Sequence, residues 1–570
     1  MRIRNIPASA RSLTYLAACL SVFAGAFPAL AQHSWTGCAD LKDGDFRKVS
    51  LVDRSNYPAL GEPVKMDIAK DGSIYWMERG GAFRKWDAHT KAVSVLGQVD
   101  AHVDNPRGGM GLRLDPDFDK NGFVYVVYHP NVPPYQKHTL SRFTVVNGKA
   151  IDEKAILSVP LEANSGYHAS GALAFDDKGN LFWGVGDNTS PSDIGGQTVG
   201  GYAPIAAPYA TMDARRTAAN TNHLAGKILR IHPEADGSYS IPPGNLFPPA
   251  PAGAAGAALT RPEIYSMGHR MPFNIWFDKR TGWLFVGEVG PDAAAADGSK
   301  GPAAQDEFNV VKSPGNYGWP FLGGHNLPYH DYDYATGKSG PLFDPEHLRN
   351  DSPHNTGLKD LPPGRPALLA YGHDGKSADQ ARFPILGGAN RGTSIGGPVY
   401  RYDAALDSKI KLPPHFDNVW FMADFMREKT FAATLDSTAS AVLEVKNPFP
   451  GLTFANIING DIGPDGALYV IEYGTAWYNQ NAPQKIARVE YTGTCLPPPG
   501  PDGLATSPER RPRHGNLRVN LERGCLLYSL PRGAQGASAQ TALGLSASRV
   551  GSSAPGTERE TVIDATGRLR

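Results

Sequence analysis

Six short turns constrain what this chain can fold into. They read Asp71-Gly72 before Ser73-Ile74-Tyr75, Asn121-Gly122 before Phe123-Val124-Tyr125, and Lys178-Gly179 before Asn180-Leu181-Phe182. They continue as Thr281-Gly282 before Trp283-Leu284-Phe285, Asp417-Asn418 before Val419-Trp420-Phe421, and Asp465-Gly466 before Ala467-Leu468-Tyr469. Gly and Asn accept positive φ, so each reads as a hairpin turn feeding an apolar strand. Counted between residues 71, 121, 178, 281, 417 and 465, the spacings are 50, 57, 103, 136 and 48. A unit of about 50 residues is the size of one four-stranded propeller blade. No amphipathic helix longer than three turns is visible over residues 50–490. The pattern predicts an all-β, six-bladed β-propeller with long inserted loops; the competing reading is a β-sandwich of unrelated hairpins. The insertions fall at 188–225 and 322–392, and loops of that length usually carry function or are disordered. A Pro/Ala/Gly stretch at 248–259 reads as a surface spacer.

The two ends read differently from the body. Arg2, Arg4 and Arg11 precede an apolar run, Leu13 to Phe27, too short to span a bilayer. Ala29-Leu30-Ala31 then gives a small-x-small cleavage pattern, so residues 1–31 read as a secretory signal peptide and Gln32 as the mature start. A rival is lipidation at Cys19, in Leu16-Ala17-Ala18-Cys19. The expected location is periplasmic or secreted, with no transmembrane segment in the mature chain. The full chain carries 56 basic and 56 acidic residues; removing three Arg leaves 53 − 56 = −3, which argues against nucleic acid as a partner. Cys38 and Cys495 lie at the ends of the body, residues 32–495, and a bridge between them or two free thiols are both open. There is no CxxC or CxxCH, which excludes covalent c-type haem. Residues 496–570 hold ten Arg, no Lys and one aromatic, Tyr528, and read as a disordered tail.

Chemistry concentrates at strand ends. His168 sits in a small-residue loop, Ser165-Gly166-Tyr167-His168-Ala169-Ser170-Gly171, and Gly186-Asp187-Asn188 ends the next strand. Adjacent hairpin strands bring Asp187 beside His168, where a carboxylate orients an imidazole and raises its basicity. Gly268-His269-Arg270 offers a permanent cation suited to a developing oxyanion, or a structural arginine pinning a loop. Glu288, Gly290 and Pro291, with Asp306-Glu307 downstream, bring carbonyls and carboxylates together, the ligand set of Ca²⁺; a plain turn is the alternative. Asn316-Tyr317-Gly318-Trp319-Pro320 adds aromatics able to wall a planar cofactor or pack a rim.

An ordered set of motifs extends over residues 50–493: GGMGL (108–112) with DPDF (115–118), His168 with GALAFDDKGNLFWGVGDN, NTNHLAGKILRI (220–231), IYSMGHRMPF (264–273), GEVGPDA (287–293), DEFN (306–309), NYGWP (316–320), GGPVYRY (396–402) and GPDGALYVIEYG (463–474). Together they resemble the glucose/sorbosone dehydrogenase family, soluble quinoproteins that bind pyrroloquinoline quinone (PQQ) and Ca²⁺. The resemblance implies that His168 is the general base toward the sugar's anomeric hydroxyl, that Asp187 is the acid beside it, and that Arg270 faces the quinone oxygen. It implies that the carbonyls of Gly290 and Pro291 hold the bridging Ca²⁺, with Asp306 and Glu307 as further metal candidates. The remaining cofactor contacts are expected at His269, Arg391, Thr393 and Arg427. An aldose would be the substrate, and electrons would leave to an external acceptor, a quinone or a cytochrome.

The chain also departs from the family. Met271 follows Gly-His-Arg where an Asn is usual, and Arg107 stands where an amide is expected. The stretches 424–431 and 454–463 offer only Arg427 and Lys429 as cations for the quinone's carboxylates. A non-redox propeller that binds carbohydrate or a partner is therefore the alternative reading, with a Ca²⁺-dependent hydrolase on the same architecture as a third.

Overall fold

The computed structural model describes residues 41–104, 107–162, 167–190, 201–203, 210–249, 259–475 and 483–493, and the backbone of 518–522 and 525–529. The signal segment 1–31, Cys19, Cys38 and Cys495 lie outside these residues. The chain divides into two units, Met1–Pro498 and Pro499–Arg570. In the second, within the stretch expected to be a disordered tail, the described part is one antiparallel hairpin, Arg518–Glu522 with Cys525–Ser529.

The first unit is a six-bladed propeller. Blade 1 is Pro63–Ile68, Ile74–Glu78, Ala82–Trp86 and Val93–Gln98; blade 2 is Gly109–Leu114, Phe123–Tyr128, Lys137–Val146 and Lys149–Pro160. Blade 3 is Leu173–Phe175, Leu181–Val185, Lys227–Pro233 and Ile264–Met267, with Gly315–Asn316 added in parallel at its edge. Blade 4 is Pro272–Asp278, Trp283–Glu288, Gln305–Val311 and Leu369–Gly372; blade 5 is Ser394–Tyr400, Val419–Asp424, Lys429–Leu435 and Val442–Lys446. Blade 6 is Ile457–Ile462, Leu468–Glu472 and Lys485–Tyr491, completed by the N-terminal strand Phe46–Asp53, which pairs Phe46 with Tyr491. Each first strand packs beside the first strands of its two neighbours, blade 6 returning to blade 1. Taking its outermost strand from the other end of the body pairs the outer edge of Lys485–Tyr491 and fastens the two ends of the ring together.

All six turns read from the sequence connect the first strand of a blade to its second. Their pivotal residues have positive φ: Gly72 82°, Gly122 67°, Gly179 75°, Gly282 73°, Asn418 65° and Gly466 73°. The second strands are buried along their whole length in blades 1, 3, 5 and 6. They are sandwiched in the sheet with both faces against neighbouring blades, so their apolar runs are continuous rather than alternating. Trp76, Trp183 and Trp420 anchor this core.

The insertion at 188–225 lies between the second and third strands of blade 3. The stretch 322–392 is not loop throughout, because Leu369–Gly372 is the buried outer strand of blade 4 and Ala378–Arg382 is a short helix.

Antiparallel alternation puts the start of every first strand and the end of every second strand on one face. There a structural device repeats. The second strand ends in a carboxylate in blades 1, 4, 5 and 6: Glu78, Glu288, Asp424 and Glu472. Each accepts a backbone N–H from the segment leading into the first strand of its own blade, from Gly61 at 3.1 Å, Arg270 at 2.5 Å, Thr393 at 3.1 Å and Ala455 at 2.8 Å.

Candidate active site

Blade 3 breaks this repeat. Its carboxylate, Asp187, does not hold a backbone amide of the segment leading into its own blade. It holds a side chain: His168 Nδ1 lies 2.6 Å from Asp187 Oδ1. Three further donors reach the same carboxylate, the Thr189 N–H at 3.0 Å, the Thr189 hydroxyl at 2.8 Å and the Trp319 indole N–H at 2.7 Å. A fully buried carboxylate with four donors is held ionised. Burial pushes Asp187 up, but the charges and hydrogen bonds of His168, Arg270 and Thr189 outweigh it and its pKa falls below the usual range. His168 Nδ1 therefore carries the proton, and Nε2, which has no partner among the described residues, keeps its lone pair. Burial, then the charge of Arg270, pull the imidazole's pKa below its ordinary value against the attraction of Asp187. The result is a neutral imidazole at pH 7 with one nitrogen ready to take a proton.

The local backbone is built for this. His168 sits at φ 52°, and its carbonyl oxygen would lie 1.7 Å from a Cβ at Gly186, so only glycine lets the two strand ends approach. The Asp187 N–H donates to the Arg270 carbonyl at 2.8 Å, tying this centre to the start of blade 4. Arg270 is buried, donates from Nη1 to the Val289 carbonyl at 3.1 Å, and lies 5.9 Å over the Trp319 ring. Its charge acts on both His168 and Asp187. His168, Asp187, Arg270 and Trp319 thus form one centre.

His269 is not free to meet a cofactor. Its Nδ1 is 2.7 Å from Glu288, its Nε2 is 2.8 Å from Ser266 Oγ, and its ring stacks on Tyr317 at 5.0 Å. It braces the strand end that presents Arg270.

Gly290 and Pro291 follow the second strand of blade 4. Their carbonyls accept no hydrogen bond among the described residues, while the Gly290 N–H donates to Asp306 Oδ1 at 2.9 Å. Two free, adjacent carbonyls suit a hard cation. Asp306 and Glu307 do not converge on it, because neighbouring residues of a strand point to opposite faces. Asp306 shapes the Gly-Pro turn and meets His373 at 3.0 Å. Glu307 accepts from the Gly324 N–H at 2.6 Å and Asn309 Nδ2 at 2.9 Å, and its pKa is raised by burial and then by Glu288 opposite it in the sheet. No cluster of three or more His, Cys, Asp or Glu side chains is arranged as a metal cage among the described residues.

Three expected contacts to the cofactor's carboxylates divide. Arg427 donates to the carbonyls of Leu386, Gly372 and Asn390, so its guanidinium braces the segment leading to blade 5 rather than facing a ligand. Thr393 donates its N–H to Asp424 and its hydroxyl to the Gly392 carbonyl. Arg391 is largely exposed and, among the described residues, pairs with Asp292, at 3.9 Å, on the turn just after Pro291. Arg107 is clamped by Asp104 through two bonds of 2.6 Å, and Met271 is buried in the core.

The glucose/sorbosone dehydrogenase family profile matches residues 60–352. Quinoprotein glucose dehydrogenase B of Acinetobacter calcoaceticus is 24% identical over 294 residues, 49% of this chain and 55% of that protein. The aldose sugar dehydrogenase of Escherichia coli K12 is 25% identical over 290 residues, 49% of this chain and 65% of that protein. The chain therefore spans little more than half to two thirds of these relatives. The crystal structure of the Escherichia coli soluble aldose sugar dehydrogenase in its apo-form superposes with TM-score 0.51 and 19% identity, covering 78% of this chain and 99% of that one, a likeness of fold.

Proposed function

The chain belongs to the glucose/sorbosone dehydrogenase family, and from that premise we propose that it is a quinoprotein that oxidises an aldose at the anomeric carbon, using PQQ and Ca²⁺. The observation that carries the reading is the buried Asp187–His168 pair with a free Nε2. In support, the profile match includes every residue of this centre, and the two named relatives are described as sugar dehydrogenases.

The residues fit the cofactor at its reactive end and at the cation. Arg270 offers a fixed positive charge beside His168, and the Gly290 and Pro291 carbonyls offer an oxygen cradle for Ca²⁺. When bound, the quinone supplies a two-electron carbonyl acceptor for hydride, polarised by the cation. The protein's own part is proton handling and charge. His168 Nε2 accepts the proton of the anomeric hydroxyl as the C–H bond gives up its hydride, and the imidazolium formed is stabilised by Asp187. Asp187 stays ionised throughout, because Thr189 and Trp319 hold it. Arg270 stabilises negative charge developing at its side of the site. The sugar leaves as the lactone; the two electrons would pass to an external acceptor, and two protons, the one held by His168 and the one carried by the hydride, would be released to solvent. The segment 1–31 supports action outside the cytoplasm. One observation favours the non-redox alternative: Arg427 is spent on backbone carbonyls.

Reconstitution tests the reading. Purified protein with Ca²⁺ and PQQ should acquire the cofactor's absorbance and reduce a redox dye when an aldose is added. Cofactor uptake without aldose-dependent dye reduction, across a panel of aldoses, would remove the dehydrogenase reading.

A further inference from the structure

Lys65 is the third residue of the first strand of blade 1, and its Nζ lies 3.7 Å from the ring centroid of Phe273, the second residue of the first strand of blade 4. In a ring of six, blades 1 and 4 are opposite, so the Lys65 side chain crosses the propeller axis. The amine is buried and has no hydrogen-bond partner. Its neighbours in this layer are satisfied. Asn459 Nδ2 donates to Asn274 Oδ1 at 3.3 Å, Asn274 Nδ2 donates to the Ile458 carbonyl at 2.9 Å, and the Met66 N–H donates to Asn459 Oδ1 at 3.1 Å. The fold satisfies a buried lysine elsewhere: Lys227 donates to the carbonyls of Thr217, Ala218 and Ala225 at 2.6, 3.0 and 3.0 Å. Among the described residues the unsatisfied group of this layer is thus a buried amine, and a buried amine calls for an anion that would pair with its protonated form.

The layer is shallow. First strands begin at the face that carries His168 and Arg270, and Phe273 follows Arg270 by three residues. At about 3.3 Å of rise per residue, Lys65 lies within roughly 7 Å of that face. The cofactor of the proposed function carries three carboxylates, and Arg427, the cation expected to meet them, is committed to backbone. We propose that Lys65 provides the axial counter-charge for a carboxylate of the bound quinone, with Arg391 available from the solvent side. The face of the Phe273 ring holds the amine on the axis until the anion arrives. Burial drives the amine's pKa well below its ordinary value when it stands alone, so an arriving carboxylate also fixes its proton. This inference rests on the quinone reading of the site.

The test uses the full-length protein with Ca²⁺, titrated with PQQ and with its trimethyl ester, binding being followed by tryptophan fluorescence. Wild type should prefer the acid to the ester. Lys65→Met should weaken binding of the acid by about 10- to 100-fold, leave ester binding unchanged, and melt without cofactor at or above the wild-type temperature, since an unsatisfied buried polar group has been removed. Should Lys65→Met fail to fold, Lys65→Gln serves, with the same loss of preference for the acid expected. Wild-type affinity for the acid in a folded variant would overturn the assignment while leaving the quinone reading intact. Stabilisation of wild type, but not of the variant, by sulfate or chloride alone, with equal quinone affinities, would assign Lys65 to a small inorganic anion instead. No quinone uptake by wild type would overturn both this assignment and the reading it rests on.

Discussion

The Trp319 indole donates to Oδ2 of Asp187 at 2.7 Å, across 132 residues of chain, and so helps to orient the carboxylate that holds His168. The aromatic loop of blade 4 is thereby part of the base's support. Replacing Trp319 with Phe keeps the ring and removes the donor. Asp187 then loses one of four hydrogen bonds and pulls harder on the His168 proton, so the imidazole's pKa rises. The acid limb of the pH profile of kcat/KM should move to higher pH, and kcat should fall by about 3- to 30-fold at pH 7. An unchanged acid limb would separate Trp319 from the proton-transfer step.

His168 itself should be less forgiving. His168→Gln keeps a polar side chain of similar reach but has no base. Turnover should fall about 10²- to 10⁴-fold, with quinone affinity and melting temperature close to wild type. Steady-state kinetics alongside a cofactor titration checks this, and a near-wild-type rate would take His168 out of the mechanism.

What could be read from the chain alone follows the range of the interactions. The six turns were legible because positive φ at Gly72, Gly122, Gly179, Gly282, Asn418 and Gly466 is a local demand that only a few residues meet. The pairing of His168 with Asp187 was legible because 19 residues of hairpin separate them. The bond from Trp319 to Asp187 was not, since it depends on how blades 3 and 4 meet. His269, Arg427 and the pair Asp306-Glu307 have the right chemistry for a cofactor or a cation. Their longer-range partners, Glu288, the carbonyls of the segment before blade 5, and Gly290 and Gly324, are fixed only by the fold. Asp306-Glu307 also shows a limit of composition: two adjacent carboxylates on a strand cannot share one ligand. Thr189 carried one available signal, its place two residues after Asp187, the spacing at which a hydroxyl caps a carboxylate.

Burial near the base gives a pH dependence with a definite sign. His129 is buried against His138, with ring centroids 4.1 Å apart, and burial pulls its pKa down to about 3. Unfolded, it titrates near 6.5. Below pH 6.5 the unfolded chain therefore binds a proton that the folded chain does not, and the stability contributed by the neutral ring is lost as pH falls. The loss reaches about 1.4 kcal/mol per pH unit for one such group. His129→Gln removes it. In urea unfolding between pH 6 and pH 4, the variant's stability relative to wild type should improve by about that slope, whatever its offset at pH 7. Parallel curves would show that His129 takes up its proton in the folded protein.

The cation is proposed from two carbonyls, so its test must reach the turn that presents them. Asp306 Oδ1 holds the Gly290 N–H at 2.9 Å, and a Cβ on Gly290 would lie 1.8 Å from the Gln305 carbonyl oxygen. The turn is therefore both anchored and closed to side chains. A ligand bound only by the folded state stabilises it by about 2.7 kcal/mol at a hundred times its Kd. Chelation should lower the melting temperature and abolish quinone uptake together, and Ca²⁺ should restore both better than Mg²⁺, which demands tighter octahedral geometry and gives up water reluctantly. Asp306→Asn keeps the size of the anchor and weakens its acceptor, so it should loosen the turn and raise the Ca²⁺ concentration needed for half-recovery by about tenfold. Gly290→Ala should abolish the Ca²⁺ response while leaving the His168–Asp187 centre assembled. Calorimetric scans of the three proteins in chelator, Mg²⁺ and Ca²⁺ decide the matter: identical melting temperatures for wild type in all three would remove Gly290 and Pro291 as a cation site.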